Sequence, residues 1–337
     1  MRANRNPSAP VSIVDHMFVK ELQDGQTIDT VLLVRECEVR RKRDGAEFLR
    51  LVLADRTGTL PAVMWDADAT LASDASCGAA VRVGGRYGVH PRYGAQLVIE
   101  ALRAAADHEY RLEDLCDGPP REPRQMEADM RELIETVQNP HLRRLLEGLL
   151  GPGSAVWALY EVAPAAKYYH QAYRHGLLEH CLGVAQAVSA ISATFQGIDR
   201  DVAVTGALLH DIGKLEAYTA DQRQIDMTDA GKLQGEIPLG YYRVRRAIED
   251  LDGFPAGLAQ AVLHIILAHH GTLEHGSPVV PCTREATLVH MIDNLGGRLG
   301  SFDRLEKELP DGAQWSAFDR ALGGGAWFAA PEAAQAA

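Results

Sequence analysis

The chain has 337 residues, of which 46% are apolar and 24% charged, a composition that fits a globular protein with two domains. No apolar run reaches the roughly 18–20 residues of a membrane-spanning helix, and no secretory signal follows the N-terminus. The five cysteines lack any CxxC pair, so we expect free thiols in a reducing cytoplasm, and the net charge of −12 argues against a general polyanion-binding surface.

Residues 11–105 are predicted to form an all-β domain. Their apolar residues partly alternate, and the turn residues Asp44-Gly45 and Arg56-Thr57-Gly58 separate the apolar runs. Five short strands with a break after the third, filled by a helical or loop piece over residues 67–76, are typical of an OB-fold barrel. The predicted strands cover residues 27–40, 48–55, 60–65, 81–89 and 96–102.

A basic cluster lies at the predicted turn between the first two strands. Its members are Arg40, Arg41, Lys42 and Arg43. This loop is a common nucleic-acid contact in OB-folds, and adjacent positive charges could follow a phosphate backbone. The alternative is a solvated hairpin tip. The aromatic residues that could stack on bases are Phe48, Trp65, Tyr87 and Tyr93, of which the first two could equally belong to the core.

A change of pattern follows the barrel. Residues 106–124 are acidic, contain Gly118-Pro119-Pro120 and are predicted to be a linker. From residue 125 the apolar residues recur at helical spacing, which predicts an all-α domain over residues 125–312. The glycine-rich and alanine-rich residues 313–337 are predicted to be a disordered tail.

Five consecutive residues in the helical half, His210-Asp211-Ile212-Gly213-Lys214, form a motif typical of metal-dependent hydrolases. Adjacent helical residues point about 100° apart, so His210 and Asp211 seldom share one surface, but both can reach a metal ion beside a helix end. Lys214 lies on the same side one turn later, where it could hold an anionic group. The apolar run over residues 202–209 predicts that the motif ends a buried helix.

Further potential ligands recur along the helical half. Nine of the 13 histidines lie between His170 and His290, and the chain from residue 106 onward has 33 acidic against 20 basic residues. Imidazole and carboxylate ligands without cysteine suit manganese, iron, cobalt, nickel or zinc. The clusters beside the motif are His180, His269-His270 and Asp293.

The order His, His-Asp, His-His, Asp resembles the HD superfamily of metal-dependent phosphohydrolases. A closer resemblance is to the YhaM-type 3′–5′ exoribonucleases, and it is carried by residues 163–170, 176–180, 268–271 and 290–294. Those proteins join an N-terminal OB-fold to a C-terminal HD domain. The resemblance extends over residues 12–310 and implies metal-dependent removal of nucleotides from the 3′ ends of single strands.

The resemblance also implies roles for individual residues. Asp211, which can give one oxygen to each of two ions, and Lys214, which would neutralise phosphoryl oxygens, are the expected catalytic residues. One or two divalent ions are expected, with manganese first and cobalt, iron, magnesium and nickel as alternatives. The core ligands would be His180, His210, Asp211 and Asp293, with His269 and His270 on a second metal or the substrate phosphate.

Glu236 departs from the family pattern, because relatives usually have Gly-His-Ile where this chain has Gly235-Glu236-Ile237. A carboxylate can still coordinate a divalent cation, and its hard oxygen favours manganese or magnesium. The exchange could also mean that one of two metals is lost. A second departure is His175-Gly176, where the family often has two glycines.

Three functions therefore remain open. The first is a 3′–5′ exonuclease on single-stranded RNA or DNA, with the barrel holding the strand. The second is an HD phosphohydrolase of a small or cyclic nucleotide, with the barrel as a regulatory or oligomer contact. The third is a catalytically decayed single-strand-binding protein. The sequence is compatible with a monomer or a homo-oligomer and indicates no membrane partner.

Overall fold

The chain folds as two units with a boundary between Asp117 and Gly118, a barrel unit before it and a helical unit after it. The structure, a computed structural model, describes residues 16–42, 44–65, 69–90, 94–167, 171–219, 221–310 and 312–329. All five cysteines lie in these ranges and are free thiols. No helix in these ranges combines the length and the apolar character needed to cross a membrane.

The barrel unit has the OB-fold topology that the sequence predicts. The strands close in the order β1-β2-β3-β5-β4, with a parallel pairing of β3 with β5 and antiparallel pairings elsewhere. The elements are a 3-10 helix (Val19–Glu21), β1 (Thr27–Arg41), β2 (Glu47–Asp55), β3 (Gly58–Met64), α1 (Ala69–Asp74), β4 (Ala80–His90), β5 (Gly94–Ala104), a second 3-10 helix (Asp107–Glu109) and α2 (Leu112–Leu115).

Apolar side chains from alternate strand positions fill the barrel interior. Leu32, Leu53 and Leu97 are completely buried there. The last strand runs beyond its predicted end to Ala104, because backbone pairing with Val81 of β4 continues past the last alternating apolar residue. The alternation thus locates each strand, and the neighbouring strand decides where it ends.

A buried carboxylate holds the turn between β2 and β3. Asp55 Oδ1 accepts hydrogen bonds from Thr57 N at 2.7 Å, Thr57 Oγ1 at 2.6 Å and Gly58 N at 3.2 Å. Its Oδ2 accepts one from Val19 N at 2.6 Å. Burial opposes ionisation, but the imidazole of His16, 3.5 Å from Oδ2, and the hydrogen bonds from Thr57 and Val19 lower the pKa of Asp55 below its usual value. Both oxygens are therefore committed to the fold.

The first part of the predicted linker, residues 106–124, belongs to the barrel unit. Leu115 of α2 and the following Cys116 are buried against Leu33 of β1. The acidic composition suggested a solvated linker, but these two apolar side chains fix the segment to the barrel. The connection between the units is correspondingly shorter than predicted.

The helical unit is built around α7, which is buried on all sides from Val202 to Leu209 and contacts α6, α11 and α12. It is the all-α domain that the sequence predicts. Its helices are α3 (Pro123–Glu135), α4 (Pro140–Leu150), α5 (Ala155–Tyr160), α6 (Gly176–Ser192), α7 (Arg200–Leu209), α8 (Lys214–Ala217), α9 (Asp229–Gln234), α10 (Glu236–Glu249), α11 (Ala256–Ala268), a 3-10 helix (Leu273–His275) and α12 (Arg284–Lys307).

The C-terminal segment differs from the disordered tail predicted over residues 313–337. Backbone bridges join Trp315 to Trp327 and Asp319 to Gly324, and Arg304 of α12 forms an ion pair with Asp319. The glycine and alanine content predicted disorder, but composition alone does not indicate this pairing between residues that are distant within the segment. Residues 330–337 lie outside the described ranges.

Candidate metal centre

Seven potential ligands converge in the helical unit, and they come from five helices. Three of the helices contribute at their ends, where the chain leaves or enters the helix. The residues are His180 in α6, His210 and Asp211 after α7, Glu236 at the start of α10, His269 and His270 after α11, and Asp293 in α12.

A close approach of α7 and α11 brings two of these ligands together. Gly206 of α7 lies against Ile265 of α11, and a Cβ on Gly206 would lie 2.3 Å from Ile265 Cδ1. One turn further along each helix, the ring centroids of His210 and His269 are 5.0 Å apart. The missing side chain at residue 206 thus permits the spacing of the histidines.

The inner cluster consists of His180, His210, Asp211 and Asp293. His180 Nε2 lies 3.2 Å from His210 Nε2, 3.2 Å from Asp211 Oδ2 and 3.0 Å from Asp293 Oδ1. His210 Nε2 lies 3.3 Å from Asp211 Oδ2. The side chains of the first three residues are almost completely buried, so these donor atoms face each other with little water between them.

The outer cluster consists of Glu236, His269 and His270, each of which offers one ligand atom within 4.8 Å of the other two. His270 Nε2 lies 3.3 Å from Glu236 Oε1. His269 Nε2 lies 3.4 Å from Asp211 Oδ1. Asp211 therefore directs one oxygen to each cluster.

Two buried atoms between the clusters lack a hydrogen bond. Among the described residues, neither Asp211 Oδ1 nor His269 Nε2 has a partner with hydrogen-bond geometry. An unpaired buried polar group costs about 1–3 kcal/mol, so such atoms are rare unless another species takes the partner's place. Because the surrounding donors are imidazole nitrogens and carboxylate oxygens, these residues fit a divalent metal ion.

Three of the imidazoles are oriented by main-chain carbonyl oxygens. A carbonyl oxygen can only accept, so Nδ1 carries the proton and a neutral ring presents the lone pair of Nε2 to the cluster. The Nδ1 atoms of His210, His269 and His270 lie 2.7, 2.8 and 2.9 Å from the carbonyl oxygens of Ala207, Ile266 and His275.

The electrostatics of the centre keep a cation beside the carboxylates. Burial would lower the pKa of Lys214, but Asp211, whose Oδ2 lies 2.7 Å from Lys214 Nζ, and Glu236 raise it well above its usual range. Burial would likewise lower the pKa of His180, but hydrogen bonds to Asp211 and Asp293 raise it to about 9. Lys214 therefore stays protonated where a phosphoryl oxygen could bind.

Glu236, the departure from the family pattern, lies within the centre. Burial would raise its pKa, but the charge of Lys214 and the hydrogen bond from His270 lower it. The side chain is therefore an ionised oxygen donor at the position where the family usually has an imidazole. This placement favours retention of the outer cluster over its loss.

Sequence reasoning missed Gln171, whose Oε1 lies 3.1 Å from His180 Nδ1. It stands nine residues before His180 in a loop and belongs to no motif, so no sequence signal points to it. His290 has its Nδ1 2.7 Å from the carbonyl oxygen of His269. His170 lies outside the described residues.

The predicted basic cluster on the barrel is partly neutralised by acidic neighbours. Arg40 lies 2.7 Å from Glu38, and Arg41 lies 3.1 Å from Glu47. Exposed pairs of this kind contribute only about 0–1 kcal/mol, so a phosphate could replace the carboxylates at little cost. Arg43 lies outside the described residues.

A partly exposed aromatic pair adjoins this hairpin. The rings of Phe48 and Trp65 have centroids 5.0 Å apart, and Lys42 Nζ lies 5.5 Å from the centroid of Trp65. Trp65 is 45% exposed. Of the two interpretations of Trp65 that the sequence allowed, the structure favours the surface one. Tyr87 packs against the barrel core instead, and Tyr93 lies outside the described residues.

Comparison with known proteins agrees with this architecture. Residues 177–297 match the HD domain family, and this range contains all seven potential ligands. A 3′-5′ exoribonuclease YhaM from Geobacillus sp. (strain WCH70) is 31% identical over 289 residues, which covers 85% of this chain and 87% of the relative. The 3′-5′ exoribonuclease YhaM from Bacillus subtilis (strain 168) is 29% identical over 288 residues, with coverage of 85% and 90%. The similarity therefore extends into both units.

Proposed function

Because this chain belongs to the family of YhaM 3′–5′ exoribonucleases and is an HD-domain hydrolase that depends on divalent metal, we propose that it shortens single-stranded RNA from the 3′ end. The observation that carries the proposal is the placement of Asp211, which directs Oδ2 to the inner cluster and Oδ1 to the outer cluster. A shared carboxylate between two ligand sets suits hydrolysis of a phosphodiester, since both the attacking and the leaving oxygen need charge stabilisation.

The potential ligands fall into two sets, one for each ion. His180, His210, Asp211 and Asp293 would hold one ion, and Asp211, Glu236, His269 and His270 a second. When bound, divalent ions supply a nucleophilic water at neutral pH and neutralise the charge that develops on the phosphate. Lys214 adds a fixed positive charge for a non-bridging phosphoryl oxygen, and the buried inner residues exclude bulk water.

Manganese is the proposed ion. Three carboxylates among the seven potential ligands give the centre a hard-oxygen character, which suits manganese, and Glu236 adds to it. Cobalt, iron, magnesium and nickel remain alternatives to be tested in the same assay. A cytoplasmic location, expected from the free thiols, and the oligomeric state stay predictions.

The barrel unit is proposed to hold the single strand. Trp65 and Phe48 offer an aromatic surface for bases, and Arg40, Arg41 and Lys42 offer positive charge for the backbone. Stacking on aromatic rings accepts every base, so we expect little sequence preference. DNA could bind to the same surface, since none of these contacts needs a 2′-hydroxyl.

The decisive experiment incubates metal-stripped protein with 5′-labelled single-stranded RNA and manganese, cobalt, iron, magnesium, nickel or zinc. We expect a ladder that shortens from the 3′ end with manganese. Asp211→Asn should slow the reaction by about 10³-fold or more, because it removes the anionic oxygen shared by both clusters. Asp303→Asn, which alters an exposed acid on α12, serves as the matched control and should leave the rate unchanged.

Three outcomes would overturn the proposal. RNA that stays intact with every metal, while mononucleotides or cyclic nucleotides are hydrolysed, would identify a small-molecule phosphohydrolase. RNA that is bound but never cleaved would identify a decayed single-strand binder. Internal fragments without a 3′ ladder would show an endonuclease.

A further inference from the structure

His180 is oriented differently from the other three imidazoles of the centre. His210 and His269 each donate from Nδ1 to a carbonyl oxygen three residues earlier, so their own helices orient them. His180 lies within α6, where the carbonyl oxygens one turn away already accept main-chain hydrogen bonds. Its Nδ1 faces the side chain of Gln171 instead, 3.1 Å from Oε1. One metal ligand thus depends on a side chain from a loop.

The amide of Gln171 is held in the orientation that this contact requires. Glu179 accepts a hydrogen bond from the hydroxyl of Tyr173 over 2.6 Å, and its carboxylate lies close enough to Gln171 for the two side chains to interact. A carboxylate can accept only from the NH2 end of the amide, which leaves Oε1 for His180. The amide therefore turns its NH2 toward Glu179 and its Oε1 toward His180.

The backbone of Gln171 is fixed as well. It has a φ of 59°, in the left-handed region that residues with a Cβ seldom adopt. Its carbonyl oxygen accepts from Ala165 N at 3.1 Å and packs against Gly176, where a Cβ would lie 2.0 Å from that oxygen. Non-glycine residues persist in this conformation where the surroundings determine it, often at functional sites.

We propose that Gln171 is a positioning residue, which holds the ring of His180 so that Nε2 faces Asp211 and Asp293 and the inner cluster is ready for its ion. The proposal rests on the metal centre of the proposed function. It assigns no contact between Gln171 and the substrate. In its absence the ring of His180 could rotate about its side-chain bonds, and the inner cluster would lose one preorganised donor.

The test measures manganese binding to the full-length, metal-stripped protein by isothermal titration calorimetry, without RNA. Gln171→Met keeps the size of the side chain and removes the acceptor, so we expect manganese affinity to fall by about 10- to 100-fold. Gln186→Met, at an exposed position on α6, is the matched control and should bind as the wild type does. Circular dichroism and thermal unfolding of the metal-free variants show whether each is folded.

A rescue variant separates positioning from simple packing. The exchange Gln171→Glu with Glu179→Gln keeps one carboxylate and one amide, so a Glu at residue 171 can accept from His180 and from the new amide. We expect manganese affinity within about threefold of the wild type. Catalysis by Gln171→Met should recover at saturating manganese, whereas a residue that touches the substrate would leave a defect.

The outcomes decide the proposal without reference to RNA cleavage. A folded Gln171→Met that binds manganese within about twofold of the wild type would overturn it. If that variant does not fold, Gln171→Asn, whose amide is one methylene shorter, takes its place under the same criterion. Failure of the proposed function would appear separately, as wild-type protein that binds manganese normally but does not cleave RNA.

Discussion

Asp55 in the barrel unit and Asp211 in the helical unit share two properties. Both side chains are buried, at 5% and 2% exposure, and neighbouring groups hold the pKa of each below its usual value in spite of burial. They differ in hydrogen bonding. Asp55 has both oxygens occupied by its turn and by Val19, whereas Asp211 Oδ1 has no hydrogen-bond partner among the described residues.

This is the difference expected between a structural carboxylate and a carboxylate that binds a metal ion. A residue that serves the fold is best satisfied within the fold, because every unpaired lone pair would reduce stability. A residue that serves an ion must keep a lone pair available, and the fold tolerates the cost only where other contacts compensate. Burial and pKa direction alone would have placed both aspartates in one class.

The largest effect that sharpens this comparison is expected at Lys214, the cation beside Asp211. Lys214→Met should slow RNA hydrolysis by about 10²- to 10³-fold, since it removes a fixed charge for the phosphate. Manganese affinity should stay equal or increase, because a positive charge near the ion is lost. Calorimetry and single-turnover kinetics would check both, with Lys232→Met, an exposed lysine on α9, as control. Manganese affinity that falls in parallel with the rate would show that Lys214 positions Asp211 instead.

A smaller effect, on stability, is expected at the structural carboxylate. In Asp55→Asn the anionic acceptor is lost, and the amide NH2 of the new side chain lies opposite another donor, Val19 N or Thr57 N. We therefore expect the free energy of unfolding of the barrel to fall by about 2 kcal/mol. Urea unfolding would measure the loss, with the exposed Asp74→Asn as control. Manganese affinity should not change, and a clear loss of it would break the distinction between the two aspartates.

The pH dependence of that loss follows from the lowered pKa of Asp55. A carboxyl group whose pKa is lower in the folded than in the unfolded state stabilises the fold at any pH above its unfolded pKa, here an ordinary 3.8. This contribution disappears as the pH falls through the pKa of the folded state. The stability gap between wild type and Asp55→Asn should therefore be constant from pH 7 to about pH 5 and narrow below about pH 4. A gap that widens in acid would contradict this explanation.

The smallest effect is expected on the barrel surface. Trp65→Ala should weaken binding of single-stranded RNA by about 10-fold for every sequence, since one stacked base contributes about 1–3 kcal/mol. Fluorescence anisotropy of labelled RNA, in a buffer stripped of divalent metal ions, would measure binding without cleavage. Trp327→Ala, a similarly exposed tryptophan in the helical unit, is the control. Unchanged affinity for Trp65→Ala would leave the barrel as a scaffold only.

Much of the fold could be predicted from local sequence patterns. The alternation in residues 27–40 and the apolar run before His210 report on side-chain burial, which is the property that defines a strand face or a buried helix. The pairing of Trp315 with Trp327 could not be predicted, because it joins residues with no periodic relation. The packing of Leu115 on the barrel was missed for the same reason.

The candidate site was predictable where residue types alone define the chemistry. His180, His210, Asp211, His269 and Asp293 are suitable ligands in any conformation that brings them together, and the structure brings them together. Gln171 was not predictable, since a glutamine in a loop has no distinctive chemistry until its amide faces an imidazole. The orientation of ligands depends on tertiary contacts, which a linear motif does not encode.

The contact between Gly206 and Ile265 gives the centre a mechanical property. The pair lies one turn before His210 and His269, so the distance between the two helix axes sets the distance between two imidazoles proposed as metal ligands. The spacing of these two imidazoles is consequently set by helix packing in the hydrophobic core. The residues that set it, Gly206 and Ile265, are not among the potential ligands. Natural variation at residues 206 and 265 would change the distance between His210 and His269 without replacing any potential ligand.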